Sequence, residues 1–131
     1  MLEVYIDGAS AGNPGPSGIG IFIKGEGHQL RFSEYIGIYD NHTTEFIALL
    51  RGLEEAQKLS KELISVRSDS QIVVAAVEKR YAKNPVFKEL LDKALEIADT
   101  FDFFFIKWVP DSSNLTADQL ARKAIIKQKD S

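Results

Sequence analysis

Cysteine is absent from this chain, and histidine occurs only twice, as His28 and His42. Without cysteine the protein has no disulfide partner, no thiolate zinc site and no cysteine nucleophile. Two histidines are too few for an all-histidine metal site. Any bound metal is therefore expected to be a hard cation held by carboxylates, such as Mg²⁺ or Mn²⁺.

Long hydrophobic runs and an excess of positive charge are also missing. No apolar run approaches the roughly 20 residues that span a bilayer, and the opening residues do not resemble a secretion signal. We therefore expect a cytoplasmic protein with no membrane partner. Lys and Arg total 16 against 19 Asp and Glu, a net charge of −3, which argues against strong general affinity for nucleic acid. A nucleic-acid partner would have to be bound by local contacts from backbone amides and neutral side chains.

What is present suffices for one compact domain. The 131 residues are 44% hydrophobic, enough for a single substantial core, and no linker or repeat divides them. We expect one domain over residues 1–131 and a monomer.

The opening segment, from Leu2 to Gly20, is the most informative stretch. Alternating apolar residues predict a strand that ends at Asp7, and a loop rich in glycine and proline follows at once. Asp7 by itself is equally well explained as a turn residue that hydrogen-bonds its own backbone. A carboxylate where a strand stops, beside a backbone that a ligand can approach closely, is also a position where chemistry is expected.

The remaining pattern predicts an α/β fold with element order βββαβ, one or two helices, then βα. Three antiparallel strands followed by parallel crossovers give a five-stranded mixed sheet flanked by helices. The aromatic run from Phe101 to Val109 is interpreted as a buried strand, with Phe103, Phe104, Phe105 and Trp108 in the core.

Four acidic residues occupy corresponding places in this order. Asp7 and Asp69 end strands, Glu45 lies in the first turn of the first helix, and Asp118 is early in the last helix. Each has a structural alternative: Glu45 could serve the helix dipole, and Asp69 or Ser70 could be an N-cap. Four converging carboxylates would repel one another unless cations neutralise them, so a cluster would indicate a divalent-metal site suited to phosphodiester hydrolysis.

The motifs resemble the type 1 ribonuclease H family in its short form, which lacks a hybrid-binding domain. The matching segments cover nearly the whole chain: Asp7 to Ser10 with Gly12 to Gly18, Asn41-x-x-x-Glu45, Ser68 to Gln71, and Trp108 to Pro110 with Asn114-x-x-Ala117-Asp118-x-Leu120-Ala121. The resemblance implies the ribonuclease H-like fold and endonucleolytic cutting of the RNA strand of an RNA/DNA hybrid.

The resemblance also implies roles for individual residues. Asp7, Glu45, Asp69 and Asp118 match the carboxylates that hold two Mg²⁺ or Mn²⁺ ions and carry catalysis. Asn13, Asn41 and Gln71 match positions that contact the hybrid in its minor groove. Amides suit this task because each can donate to and accept from a 2′-hydroxyl.

Two departures from the family pattern leave alternatives open. The segment from Asp111 to Ser113 lacks the histidine or arginine that many relatives carry there, and the basic residues between Lys79 and Lys93 are diluted by acids. A second hypothesis is therefore a catalytically weak or inactive accessory protein that binds nucleic acid. A third is a nuclease of this fold that prefers RNA/RNA duplex or DNA.

Overall fold

The computed structural model describes the backbone of residues 1–130 and the side chains of residues 1–128. Five strands, four α-helices and one short 3₁₀ turn follow one another in these described residues. Their bounds are β1 Leu2–Ser10, β2 Gly15–Gly25, β3 His28–Tyr39, α1 Asn41–Gln57, β4 Leu63–Ser68, α2 Gln71–Lys79, α3 Pro85–Ala98, β5 Phe103–Trp108, a 3₁₀ turn Asp111–Ser113, and α4 Leu115–Asp130.

The strands form one mixed sheet in the order β3-β2-β1-β4-β5. β1 pairs antiparallel with β2 and parallel with β4, while β4 pairs parallel with β5. This confirms the predicted α/β fold and places the first strand of the chain at the centre of the sheet.

The main core lies between the sheet and α1. Alternate residues of β1 and β2 are fully buried on that face, among them Val4, Ile6 and Ile21. Gly52 in the middle of α1 brings the helix against Ile6 and Val4, because a Cβ there would lie 2.7 Å from Cγ2 of Ile6. Stacking of Phe46 on Phe87, with ring centroids 4.8 Å apart, then joins α1 to α3.

The helix starts follow the polar residues that the sequence places before each apolar stripe. Asp40 caps α1, Ser70 caps α2 and Asn84 caps α3, each accepting hydrogen bonds from backbone N–H groups of the first turn. Ser70, rather than Asp69, is therefore the N-cap, which leaves the Asp69 carboxylate available. None of the helices in the described residues combines the length and apolar character needed to cross a membrane.

β5 corrects one prediction. It is an edge strand, and the side chains of Phe103 and Phe105 are 63% and 56% exposed. Phe104 and Ile106, on the opposite face, are only partly buried. Trp108 was expected in the core as well, but it is 43% exposed and its Nε1 donates to the backbone oxygen of Asp69.

Candidate active site

The parallel pairing of β1 with β4 positions the first two acids. The pairing ends at Ile6 and Ser68, so Asp7 and Asp69 come next on two strands about 4.8 Å apart. β1 itself continues to Ser10 and pairs Asp7 with Gly20 of β2. The prediction that the first strand ends at Asp7 is therefore wrong. Asp7 instead marks the point where β1 loses its parallel partner β4 and the sheet opens.

The third acid, Glu45, comes from α1. It is the fifth residue of the helix, beyond the first turn, so the helix-dipole explanation for it does not apply. Gly8 lets the helix approach the strand, since a Cβ there would lie 2.7 Å from Cγ2 of Thr44. The backbone N–H of Gly8 donates to Oδ1 of Asp7 at 2.9 Å and also to Oε1 of Glu45, which fixes both carboxylates.

The fourth acid, Asp118, lies in the first turn of α4 on the opposite face of the sheet. Gly20, the partner of Asp7, allows this approach because a Cβ there would collide with the backbone oxygen of Ala117. The Asp118 carboxylate accepts from Nε of Arg122 at 3.0 and 3.1 Å. Asp118 thus borders the site from α4 but is engaged in an ion pair.

Three of the four predicted acids form a close group. Carboxylate oxygens of Asp7, Glu45 and Asp69 lie within 4.8 Å of one another. Asp118 is not part of this group, although it lines the same groove.

Asn114 lies in the last of the family-like motifs, but no role in the site was predicted for it from the sequence. It is 1% exposed, and its Nδ2 donates to the backbone oxygen of Ile6 at 2.9 Å and to Oδ2 of Asp69 at 3.3 Å. It therefore joins the segment before α4 to β1 and to one of the acids. Its Oδ1 is buried and has no hydrogen-bond partner in the structure.

Crowding raises the affinity of the acids for protons. Burial first, and then the charges of Glu45 and Asp69, raise the pKa of Asp7 to about 10. Burial and the charge of Asp69 likewise raise the pKa of Glu45. Burial raises the pKa of Asp69 against the hydrogen bond from Asn114, which lowers it. Asp7 therefore holds its proton at neutral pH unless a cation replaces it.

These residues fit a divalent cation. Carboxylate oxygens within a few ångströms of one another are the ligands that Mg²⁺ and Mn²⁺ prefer. In the described residues this is the one group of acids or histidines whose ligand atoms lie close enough to share an ion.

Two adjoining grooves open from the acids. The larger, about 630 Å³, includes Ser10, Asp111, Asp118 and Arg122, and the smaller, about 410 Å³, includes His42 and Gln71. Gly8, Asn41, Glu45 and Asp69 line both grooves. The carboxylates therefore lie where an extended ligand that occupies both grooves would cross them.

Comparison with known proteins identifies the family. Residues 6–124 match the family model described as "Reverse transcriptase-like". A protein of Enterococcus faecalis named "Putative hydrolase EbsB" is 37% identical over 129 residues, which cover 97% of this chain and 96% of that protein. The LC11 ribonuclease H1, solved in complex with an RNA/DNA hybrid, is 35% identical, with a TM-score of 0.89 over 98% of this chain and 99% of that one. The chain belongs to the type 1 ribonuclease H family.

Relatives differ in how much of their length this ribonuclease H domain represents. Ribonuclease HI of Halobacterium salinarum is 34% identical over 127 residues, which are 95% of this chain but 64% of that protein. The chain spans 35% of the length of the mycobacterial relatives that it matches.

Two of the three amides predicted to contact substrate line the ribonuclease H grooves, and the third lies next to them. Asn41 lines both grooves and Gln71 lines the smaller one. Asn13 lies beside them, because its Oδ1 accepts from the backbone N–H of Asn41 at 2.9 Å. The geometry thus places Asn13 next to Asn41 at the start of α1, and Gln71 at the start of α2.

The acid-rich side of the groove has little positive charge to offset it. Among the described side chains that line the two grooves, Arg122 is the only lysine or arginine. The 3₁₀ turn from Asp111 to Ser113 contributes Asp111 and no base.

Proposed function

We propose that this ribonuclease H domain is a metal-dependent endoribonuclease that hydrolyses the RNA strand of RNA/DNA hybrids. The observation that supports the proposal most directly is the group formed by Asp7, Glu45 and Asp69, with carboxylate oxygens within 4.8 Å of one another at the junction of two open grooves. The hybrid complex of the LC11 relative supports the choice of substrate.

Two Mg²⁺ or Mn²⁺ ions, held by Asp7, Glu45, Asp69 and Asp118, would activate a water and stabilise the leaving oxygen of the phosphodiester. Gly8 holds the carboxylates of Asp7 and Glu45 in place through its N–H. Asn114 orients Asp69. For Asp118 to become a ligand, its carboxylate has to exchange the Arg122 guanidinium for the metal, which the high exposure of Arg122 permits.

In this proposal Asn13, Asn41 and Gln71 contact the hybrid along its minor groove. Their amides can hydrogen-bond a 2′-hydroxyl as donor or acceptor, and this distinguishes RNA from DNA without positive charge. The proposal also takes the domain to be monomeric and cytoplasmic, since the chain has no cysteine that an oxidising compartment would pair.

The accessory role is a second candidate, and one observation favours it. Three of the five cations between residues 79 and 93 are paired with acids: Arg80 with Asp99, Lys88 with Asp92 and Lys93 with Glu89. Paired cations neutralise phosphates less effectively, so affinity for a hybrid would come mainly from neutral contacts.

Cleavage of an end-labelled RNA/DNA hybrid tests the proposal and separates the candidates. Matched RNA/RNA, DNA/DNA and single-stranded RNA are tested alongside it, with Mg²⁺, with Mn²⁺ and with chelator. Metal-dependent cuts confined to the RNA of the hybrid are the expected result. Hybrid binding without cutting in either metal would instead support the accessory role, and cuts in the other duplexes would indicate a different substrate preference.

A further inference from the structure

One row of side chains crosses the sheet on the face that α4 covers only in part. Arg31, Phe22, Tyr5, Arg67 and Lys107 are neighbours in register, one from each strand in the order β3-β2-β1-β4-β5. We refer to these five residues as the sheet-face row. Two adjacent aromatic rings lie in the middle of the row with cations on both sides, and the row shares no residue with the acid group.

Contacts within the row hold its rings and cations together. The guanidinium of Arg31 lies over the ring of Phe22 at 4.7 Å, and that of Arg67 lies over Tyr5 at 5.5 Å. The rings of Phe22 and Tyr5 are 5.9 Å apart, centroid to centroid. The row is therefore a preformed stacked surface rather than a set of independent side chains.

The surroundings of the row remain open to ligand. α4 reaches this face of the sheet at Gly18 and Gly20, while Arg31 and Lys107 at the two ends of the row are exposed. Beside Lys107, the rings of Phe105 and Phe103 are 56% and 63% exposed. Tyr5, Phe22 and Lys24 also form one wall of a cavity of about 230 Å³, which residues 112–116 close on the other side.

The charge of this face is opposite to that of the whole chain. Arg31, Arg67, Lys107 and Lys24 place four cations on or next to the row, against the acids Glu3, which is paired with Arg67, and Asp7 on the same face of β1. The chain as a whole has a net charge of −3. A polyanion is therefore attracted to this face rather than to the protein in general.

We propose that the sheet-face row binds a single-stranded nucleic-acid segment that extends from the hybrid. Its bases stack on the exposed phenylalanine rings and on the outer faces of the guanidinium planes, and its phosphates contact Lys24 and Lys107. This combination of rings and cations on an open sheet is what sequence-tolerant recognition of single strands requires.

The chemistry of the row favours a single strand over a duplex. A duplex keeps its bases stacked inside and offers no free base face, so it would leave Phe103 and Phe105 without partners. A protein partner with acidic side chains could pair with the cations, but it would not explain the arrangement of rings and guanidinium groups across four strands.

The row is close to the acid group along β1. Tyr5 and Asp7 point to the same face of that strand and are two residues apart, about 7 Å. The inference rests on the proposed function in this respect, because the bound strand is the flank of a hybrid whose duplex part occupies the grooves.

Fluorescence anisotropy with the Asp7→Asn protein, which is expected to leave the substrate uncut, tests the inference. The probes are a blunt RNA/DNA hybrid and the same hybrid with a single-stranded extension of about ten nucleotides, RNA or DNA, at either end. One variant removes the two exposed cations, Arg31→Ala with Lys107→Ala, and a separate one is Phe105→Ala. Lys58→Ala, which removes an exposed lysine just after α1 and outside the row, is the control for the loss of a surface cation.

An extension is expected to tighten binding about tenfold, which corresponds to roughly one stacked base. Both row variants should lose this gain while their affinity for the blunt hybrid is unchanged, and Lys58→Ala should retain it. Circular dichroism checks that each variant is folded. If one of the two row variants does not fold, the other alone tests the inference.

The inference is overturned if an extension adds no affinity, or if both folded row variants retain the gain. If the protein forms a dimer that Phe105→Ala dissociates, and the extension still tightens binding by this variant, the face would be assigned to contact with a second copy of the chain. Cleavage of the blunt hybrid by the unmodified protein is measured separately. Absence of cutting together with a gain from the extension would reject the proposed function and leave the row as a binding site.

Discussion

Asp7 is the residue on which the site depends most. Its side chain is buried, two other carboxylates lie within a few ångströms, and its pKa is raised to about 10. A buried carboxyl group in this position destabilises the metal-free protein, because none of the described residues forms a salt bridge with it. Asp7 therefore links metal binding to the stability of the whole domain.

Replacing Asp7 by asparagine should separate these two effects. Asp7→Asn is expected to lower the cleavage rate in Mg²⁺ at least about a hundredfold, because it removes a metal ligand. In chelator at neutral pH it should raise the free energy of unfolding by about 1–3 kcal/mol, since the folded protein no longer has to take up a proton at this position. Hybrid cleavage and thermal unfolding measure the two effects.

Asp102→Asn is the matched control, because Asp102 is an exposed acid outside the grooves. It should leave both quantities unchanged. Wild-type cleavage by Asp7→Asn would mean that the acid group is not the catalytic site.

Asn114 shows what residue patterns alone do not reveal. The acids could be selected from the sequence because each follows a strand or begins a helix, and the family motif supports them. Asn114 precedes α4 in a polar segment like many others, and its importance comes from burial and from contacts with Ile6 and Asp69, which are distant in sequence. The only sign of this role in the sequence is that Asn114 belongs to the motif that contains Asp118.

Asn114→Ala should destabilise the protein by about 1–3 kcal/mol, because it leaves the buried backbone oxygen of Ile6 without its donor. The neighbouring exposed Ser113→Ala serves as control and should change stability by less than about 0.5 kcal/mol. Denaturant unfolding of the two variants tests this expectation, and equal stability would show that the Asn114 contacts contribute nothing.

At the scale of elements, the placement of α4 depends on two glycines in β2. Gly18 and Gly20 face the helix, and a Cβ at either would meet backbone atoms of residues 117–121. These glycines set the distance between the sheet and α4, and hence the position of Asp118 relative to Asp7. Nothing in the sequence indicates that a helix lies against these two residues.

Gly20→Ala is expected to push α4 away from the sheet. Overpacking of this kind costs about 1–3 kcal/mol, and cleavage should fall further than stability explains because Asp118 moves with the helix. Unfolding and cleavage are measured together at a temperature where the variant remains folded. Gln29→Ala, at an exposed position of the neighbouring strand, is the control. Unchanged cleavage by a folded Gly20→Ala protein would separate Asp118 from catalysis.

β5 shows why the position of a strand within a sheet is hard to predict. A short run of aromatic residues is typical of a strand buried on both faces, and the run from Phe103 to Phe105 was interpreted in this way. The order of strands, however, makes β5 an edge, and no helix covers the face that carries Phe103 and Phe105. Composition indicated the strand correctly, whereas its exposure depends on topology that is not encoded locally.

At the scale of the whole molecule, the acid group makes stability depend on pH. The raised pKa values of Asp7 and Glu45 mean that the folded metal-free state holds more protons than the unfolded state above about pH 4. Stability in chelator should therefore fall as the pH rises from there towards 10, the pKa of Asp7. The slope is at most about 1.4 kcal/mol per pH unit for each proton.

Thermal unfolding between pH 5 and about 9, with chelator and with Mg²⁺, measures this dependence. Saturating Mg²⁺ should reduce the slope, because the cation replaces the protons, and Asp7→Asn should reduce it without metal. A metal-free protein whose stability rises over this range would contradict the electrostatics described for the site.

The central position of β1 has a consequence for synthesis on the ribosome. Within this domain β1 is synthesised before the other strands, yet its parallel partner β4 follows only after β2, β3 and α1, and Asp118 comes with the last helix. A nascent chain can therefore form the β1–β3 meander early, while the other edge of β1 stays open and needs protection from aggregation. Asp118 joins the groove that holds the acid group only when the last helix of the domain has been made, so under the proposed function an unfinished domain would lack part of its metal site.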